Sequence, residues 1–482
     1  MEKVKKNLDF TEGKVFLKIV LFILPIIATN LLQVLYNAAD MMVVSLSSEP
    51  NAVGAIGTTG AFINLIVNVF IGFSVGANVV VAREIGAKDQ SRVQKAVHTS
   101  LLMAVAFGFV GMGIGLLVSR PVLSFMGNTG SLLELAVAYT DIYFCGVPFL
   151  ALTNYLIAIF RAKGDAKTPL VVLTSTGLLN VALNLFFVLV AGMSVEGVAI
   201  ATGISNVVSF ILLLWKLHRD RDDTKFSFRK LKMDWNAFRD IVVNGLPAGI
   251  QGALFSLSNM LIQSSIVQVN NAVVPPDSEY QPIVNGSAAA GNLENFIYMG
   301  MNAVYQGAIT FTSQNMGADK PERVKRIMYA CFGIVTMVGV VMSATVLLLS
   351  KPLLALYGVV DGEEGSLEWY AMNAALTRFA YISGTYFLCG VMDVCTGVLR
   401  GMGRAIVSTC ISLVGACLFR VVWLSTVFAM IPTLDVIFVS YPVSWIITAG
   451  VAFAFIQVLL HRILKAKGVP SLQPLQEEKL PA

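Results

Sequence analysis

A carboxylate, Asp40, stands inside a stretch of otherwise almost unbroken hydrocarbon running from Val15 to Leu46. An ionised acid there costs several kcal/mol or more unless it is paired, protonated or hydrated. Asn30, Gln33 and Asn37 precede it at three- and four-residue spacing, so all four side chains share one helical face. Asn180 and Asn184 lie one turn apart further along, and Thr202, Ser205 and Asn206 share a face of a third helix. One acid among neutral amide and hydroxyl oxygens suits a hard monovalent cation or a proton. The expected chemistry is reversible ion binding with Asp40 as the coupling residue, and the plain alternative is a structural hydrogen-bond acceptor.

Membrane-spanning helices must position these groups. Of 482 residues, 56% are hydrophobic and only 13% charged, far from the roughly one-quarter charge of soluble domains. About twelve apolar runs are long enough to cross a bilayer about 30 Å thick. They centre near residues 28, 66, 107, 146, 179, 205, 255, 298, 337, 383, 416 and 449.

The loops between these runs alternate in charge. One side collects Lys3, Lys5, Lys6 and Lys14, then Arg83, Lys88, Arg92 and Lys95, then Arg161, Lys163 and Lys167. The second half continues the rhythm with a basic loop near 216–235, with Lys320, Arg323, Lys325 and Arg326, and with Arg400 and Arg404. Loops on the other side are neutral or acidic, as in VPPDSEYQP and VVDGEEGSLEW. Basic loops mark the cytoplasmic face, so both termini are expected there, in a multi-pass protein of the plasma (inner) membrane. The net charge of +5 then needs no nucleic acid. The amino-terminal apolar run is too long for a cleavable signal sequence, and the six cysteines fall inside spans, where packing is their expected role.

The chain repeats itself. LPIIATNLLQVLYN from Leu24 resembles LPAGIQGALFSLSN from Leu246, AREIGAKDQSRVQKAV resembles TSQNMGADKPERVKRIM, and FRAKGDAK resembles LRGMGRAI. These pair Pro25 with Pro247, Gly86 with Gly317, Arg161 with Arg400 and Gly164 with Gly403. The predicted organisation is a parallel repeat of two six-helix lobes, residues 1–225 and 226–482, with the binding site between or within them. Extending the matches sets Asp40 against Ile262, Asn180 against Phe419 and Asn184 against Trp423. The polar set belongs to the first lobe alone, which is what a site requires and a scaffold does not.

Other embedded polar groups are candidates for a substrate cavity: Gln33, Tyr36 and Asn37 on the first helix, Asn259 on the seventh, Glu294 on the eighth and Asp393 on the tenth. Asp393 can also form an ion pair with Arg420 on the eleventh. Asp141 reads as structural, and His98, His218 and His461 fall at or near loops. Enzyme readings fail, because AKGDAKT lacks Walker A spacing and no HExxH, GxSxG or Cys/His cluster occurs. Uphill transport would therefore draw on an ion gradient.

From about residue 15 to 460 the chain resembles the multidrug and toxic compound extrusion (MATE) family, in its prokaryotic DinF-like branch. LPIIATNLLQVLYNAADMMVVS, GANVVVAREIGAKD, FRAKGDAKTPL, LNVALNLFFV, EGVAIATGIS and LRGMGRA carry the likeness. The resemblance implies an all-α membrane fold of twelve helices in two pseudo-symmetric lobes around a V-shaped central cavity. It also implies a monomer that exports organic cations or amphipathic drugs by alternating access in exchange for Na⁺ or H⁺, with no other cofactor. The family's amino-lobe cation site maps onto Asp40, Asn180, Asn184 and Thr202, with Asn184 standing where some members carry a second acid. The alternative function is a lipid-linked oligosaccharide flippase of the same superfamily, which would need a more basic cavity than Arg378 and Arg420 supply.

Overall fold

A computed structural model of the chain describes residues 10–467 apart from 45, 48, 50, 51, 127 and 275–280. Lys3, Lys5, Lys6 and most of the acidic 274–282 loop lie outside the described residues. Six helices form the first lobe: α1 Val15–Val44, α2 Ala52–Gly86, α3 Gln90–Phe125, α4 Gly130–Ala162, α5 Lys167–Val190 and α6 Val195–Arg219. Six more form the second: α7 Trp235–Val273, α8 Pro282–Gly317, α9 Glu322–Leu348, α10 Leu367–Gly401, α11 Ala405–Phe428 and α12 Leu434–Ala466. This is the all-helical, two-lobed membrane architecture expected from the spacing of the apolar runs.

The repeat extends from sequence into backbone geometry. In each lobe the second, third and sixth helices pack on the fourth, and the fifth packs on the sixth. Gly164 and Gly403 both end their helices in the left-handed region, at φ +85° and +75°. Lys88 and Asp319, two residues beyond the paired Gly86 and Gly317, are the two described non-glycine residues with positive φ, at 56° and 59°. Gly86 and Gly317 also mark the crossing of α2 and α8. A Cβ on Gly86 would sit 2.0 Å from the Gln314 carbonyl oxygen, and one on Gly317 would sit 1.9 Å from that of Arg83. Neither helix admits a side chain there without moving the other's backbone.

Among the described residues eleven helices are apolar enough to cross a membrane by composition; α8 is the exception. It carries Glu294, Asn302, Gln306, Gln314 and Asn315, and its burial explains the departure: α1 and α2 of the first lobe and α9 and α10 of the second enclose it. A helix with little lipid-facing surface needs little hydrocarbon.

The lobes meet in the half of the bundle nearer the basic loops. Among the described residues, the hydrogen bonds between α1 or α2 and α8 run from mid-helix toward that end, from Asn30 to the Met299 carbonyl and from Thr310 to Asn78. Gln314 adds one to the Ala162 carbonyl, and Asn315 another to that of Phe10. Phe10 stacks on Phe311 with centroids 3.8 Å apart and meets Phe22 edge-on. Gly72 and Gly76 lie against Gly249 and Gly245 of α7 with no room for a Cβ. Toward the opposite end Gln33 and Asn37 of α1 and Asn259 of α7 are exposed.

Candidate functional site

In the first lobe α1, α5 and α6 bring the predicted ion-binding side chains together. Asn184 Nδ2 donates to Asp40 Oδ1 at 2.5 Å and to Asn180 Oδ1 at 3.3 Å. Asn180 Nδ2 reaches Thr202 Oγ1 at 3.4 Å, and the Thr202 hydroxyl donates to the Val198 carbonyl at 3.0 Å. One polar chain thus links an acid, two amides and a hydroxyl from three helices. Asn184 is fully enclosed, and among the described residues its Oδ1 has no hydrogen-bond partner; neither has the Ser205 hydroxyl on α6. A buried amide oxygen without a donor is costly, and beside a carboxylate it offers a second ligand to a cation. Immediately after Asn184 the helix widens into a π turn over Phe186–Val190, a distortion frequent at functional positions.

Tyr36 belongs to the wall of this cluster. Its ring lies on Gly177 of α5, where a Cβ would come within 2.0 Å of it, and its hydroxyl donates to the Thr174 carbonyl at 3.2 Å. Gln33 and Asn37, on the same helix, are exposed.

The second lobe encloses a cavity of about 740 Å³, bordered on the first-lobe side by Asn68 of α2. One face of α10 lines it, with Arg378, Tyr386, Cys389, Asp393, Thr396 and Arg400 at helical spacing. Asn259 and Glu294 also line it. Glu294 Oε2 accepts from Arg378 Nε at 3.0 Å and Nη2 at 2.8 Å, while Arg378 Nη1 donates to the Ser287 hydroxyl. A 3₁₀ turn over Ser383–Thr385 interrupts α10 at this level and lets Ser383 approach the other Glu294 oxygen.

Three placements differ from expectation. Among the described residues Asp393 and Arg420 do not pair: Arg420 donates from Nε to Ser444 of α12 and lies 4.0 Å over the Tyr441 ring. Arg400, read as a loop charge, is buried and lines the cavity, with hydrogen bonds to Tyr305 and Gln251. Its repeat mate Arg161 likewise turns inward, into a smaller space shared with Asn78, Asn154, Asn302 and Tyr305. Both arginines occupy the last turn of a helix, where a long side chain reaches either the loop or the bundle. Their match in the repeat was the signal that neither is an ordinary loop charge. His98 stands near a loop as read, buried on the first turns of α3 and bonded to Gln94 and to Ser227 of the central loop. Asp141, as expected, has a structural partner, Ser119 on α3, at 2.6 Å. The aromatic wall of Tyr298, Tyr386, Tyr441 and Trp445 went unnoticed in the sequence, because single aromatics in spans are usually packing.

Two six-helix lobes, one with an enclosed polar cluster and the other with a charged cavity, define a membrane transporter and not an enzyme. The MatE family model matches residues 25–186 and 281–426, and the chain belongs to this family of multidrug and toxic compound extrusion proteins. It is 26% identical over 405 residues to a probable multidrug resistance protein of Bacillus subtilis, covering 82% of each chain. It is 22% identical to the FAD transporter of Shewanella oneidensis, covering 72% of this chain and 74% of the other. Its fold matches that of a multidrug resistance MATE transporter in an outward-facing conformation, with a TM-score of 0.86, 19% identity, and 96% and 100% of the two chains covered.

Proposed function

We propose that this multidrug transporter is an antiporter, exporting amphipathic, drug-sized organic molecules in exchange for Na⁺ or H⁺ that binds at Asp40. The single observation that carries the proposal is the partly buried Asp40–Asn184–Asn180–Thr202 chain, in which the Asn184 amide oxygen has no partner among the described residues. A carboxylate, two amide oxygens and a hydroxyl give a cation a mostly neutral oxygen shell, and the carboxylate alone can take a proton. The relatives' names, multidrug resistance and FAD transport, favour export of organic molecules over lipid-linked oligosaccharide flipping. Organic cations fit this reading through Asp393, whose carboxylate faces the cavity with no hydrogen-bond partner among the described residues.

With the basic loops on the cytoplasmic face of the plasma membrane, the sealed half of the lobe boundary faces inward and the exposed half faces out. Ion binding at Asp40 would then replace the Asn184 contact and change how α1 lies on α5. Because α1 also meets α8 through Asn30, such a shift would reach the boundary that must open to reload. In this reading, closure at that end corresponds to the state that releases substrate outward.

The test is efflux of ethidium or rhodamine 123 from proteoliposomes with Na⁺ and pH gradients imposed separately. Native protein should follow at least one gradient, and Asp40→Asn should lower gradient-driven efflux by about a hundredfold, the loss of an ion site in a buried pocket. Asp40→Asn efflux at the native rate with unchanged ion dependence would sink the proposal.

A further inference from the structure

The charges in the second-lobe cavity do not balance. Arg378, Arg400 and Arg420 face Glu294 and Asp393 within one space, and Glu294 is committed to Arg378 through two hydrogen bonds. Among the described residues Arg400 and Arg420 have only neutral hydrogen-bond partners. Arg400 bonds Tyr305 and Gln251, and its Nε has no partner although the side chain is 5% exposed. Arg420, 3% exposed, bonds Ser444 and rests on the Tyr441 and Trp445 rings. Asp393 offsets part of this charge without a hydrogen bond to either group, so three largely buried guanidiniums face two carboxylates, an imbalance that is expensive and that helix packing alone does not require. An arginine held against neutral partners, with donor atoms turned to a cavity, is a standing receptor for a carboxylate or phosphate.

We infer that the cavity holds an anion subsite formed by Arg400 and Arg420, and that its substrates include aromatic organic anions. The assignment rests on the export reading above and names the substrate class that reading leaves open. A carboxylate or phosphate of the substrate meets one or other guanidinium, while its ring system lies against the aromatic wall of Tyr441, Trp445, Tyr298 and Tyr386. Asp393, on the same face of α10 and one to two turns from Arg400, opposes an anion and sets an upper limit on affinity.

Two dyes that share a xanthene ring but carry opposite charge, fluorescein and rhodamine 123, test the assignment by fluorescence anisotropy on purified protein in nanodiscs. Binding is read without any ion gradient, so its outcome is independent of whether efflux is ion-coupled. Native protein should bind fluorescein, Arg400→Gln and Arg420→Gln should each weaken it about tenfold, the worth of one charge-assisted contact, and neither should weaken rhodamine 123. Asp393→Asn, which leaves both arginines in place, should tighten fluorescein severalfold. Arg420 supports an aromatic stack, so an Arg420→Gln protein that has lost its thermal transition is replaced by Arg420→Lys, which keeps the charge and should retain most fluorescein binding. No fluorescein binding by native protein, or binding unchanged in Arg400→Gln and Asp393→Asn, overturns the subsite. Fluorescein left unbound by native protein, while rhodamine 123 binds and is lost in Asp393→Asn, overturns it in favour of a cation-selecting cavity, and leaves ion-coupled export intact.

Discussion

Thr310 of α8 donates a hydrogen bond to Asn78 of α2 at 3.2 Å across the boundary between the lobes. Both side chains are buried, and Asn78 is held in turn by its own bond to the Ala158 carbonyl. The proposed exchange cycle requires this contact to break and reform. An Asn78→Cys, Thr310→Cys protein should therefore lose efflux when oxidised and recover it on reduction, with cross-linking followed by a mobility shift after cleavage of the central loop. Full efflux from quantitatively cross-linked protein would mean that the lobes do not part here.

The crossing of α2 and α8 makes a sharper demand. Gly86→Val or Gly317→Val should prevent closure at this end, since the added Cβ meets backbone and not a movable side chain. The expected loss is about 3 kcal/mol or more of stability, in the range of severe overpacking. It is read as a lowered thermal midpoint of the purified protein. The conserving change Gly→Ala should show most of the effect at either position.

Glu294 and Arg378 form a buried ion pair, with side chains 4% and 16% exposed. Glu294→Gln alone should cost about 3–5 kcal/mol by leaving a buried guanidinium uncompensated. A Glu294→Leu, Arg378→Met double variant should be appreciably more stable than either single change. Equal losses in single and double variants would show that the pair is not an energetic unit.

Outside the spans, the central loop is clipped to the end of α4 by Lys163, which pairs with Asp220 and with Asp222. Burial by itself would raise the Asp222 carboxyl, but the Lys163 charge and the Thr224 hydrogen bonds outweigh it and hold that carboxyl below its usual range. A carboxyl depressed in the folded state stabilises the fold above its unfolded pKa, here about 3.8, and loses that contribution as acidification titrates it below that value. Asp222→Asn should cost about 1 kcal/mol near neutral pH, as for a partly buried pair. The difference between variant and native thermal midpoints should shrink as the pH drops below about 4.

Periodicity exposed the fold because bilayer thickness imposes one length on every span and leaves a visible rhythm. It exposed Asp40, Asn180, Asn184 and Thr202 because charge and amides in hydrocarbon are conspicuous, and because the second lobe supplies an internal control at the matching positions. What was hidden is reach. Arg161 and Arg400 stand beside loops, and only three-dimensional packing shows their side chains entering the bundle. The separation of Asp393 from Arg420 was hidden for the same reason, since helix rotation about its own axis is not written in the span boundaries. The tyrosines of the second-lobe cavity were invisible because an aromatic that meets a ligand and one that meets a leucine look alike in sequence.

The low hydropathy of α8 bears on how the protein is made. A segment carrying Glu294, Asn302, Gln306 and Gln314 partitions poorly into lipid when it emerges alone from the ribosome. Its neighbours α9 and α10 are synthesised later, and the counter-ion of Glu294, Arg378, resides on α10. Stable lodging of α8 in the bilayer is thus deferred until those helices arrive, so the second half of the chain is inserted as a cohort. A polypeptide halted just after Gly317 would hold its eighth segment at the mouth of the insertion machinery, exposed to quality control.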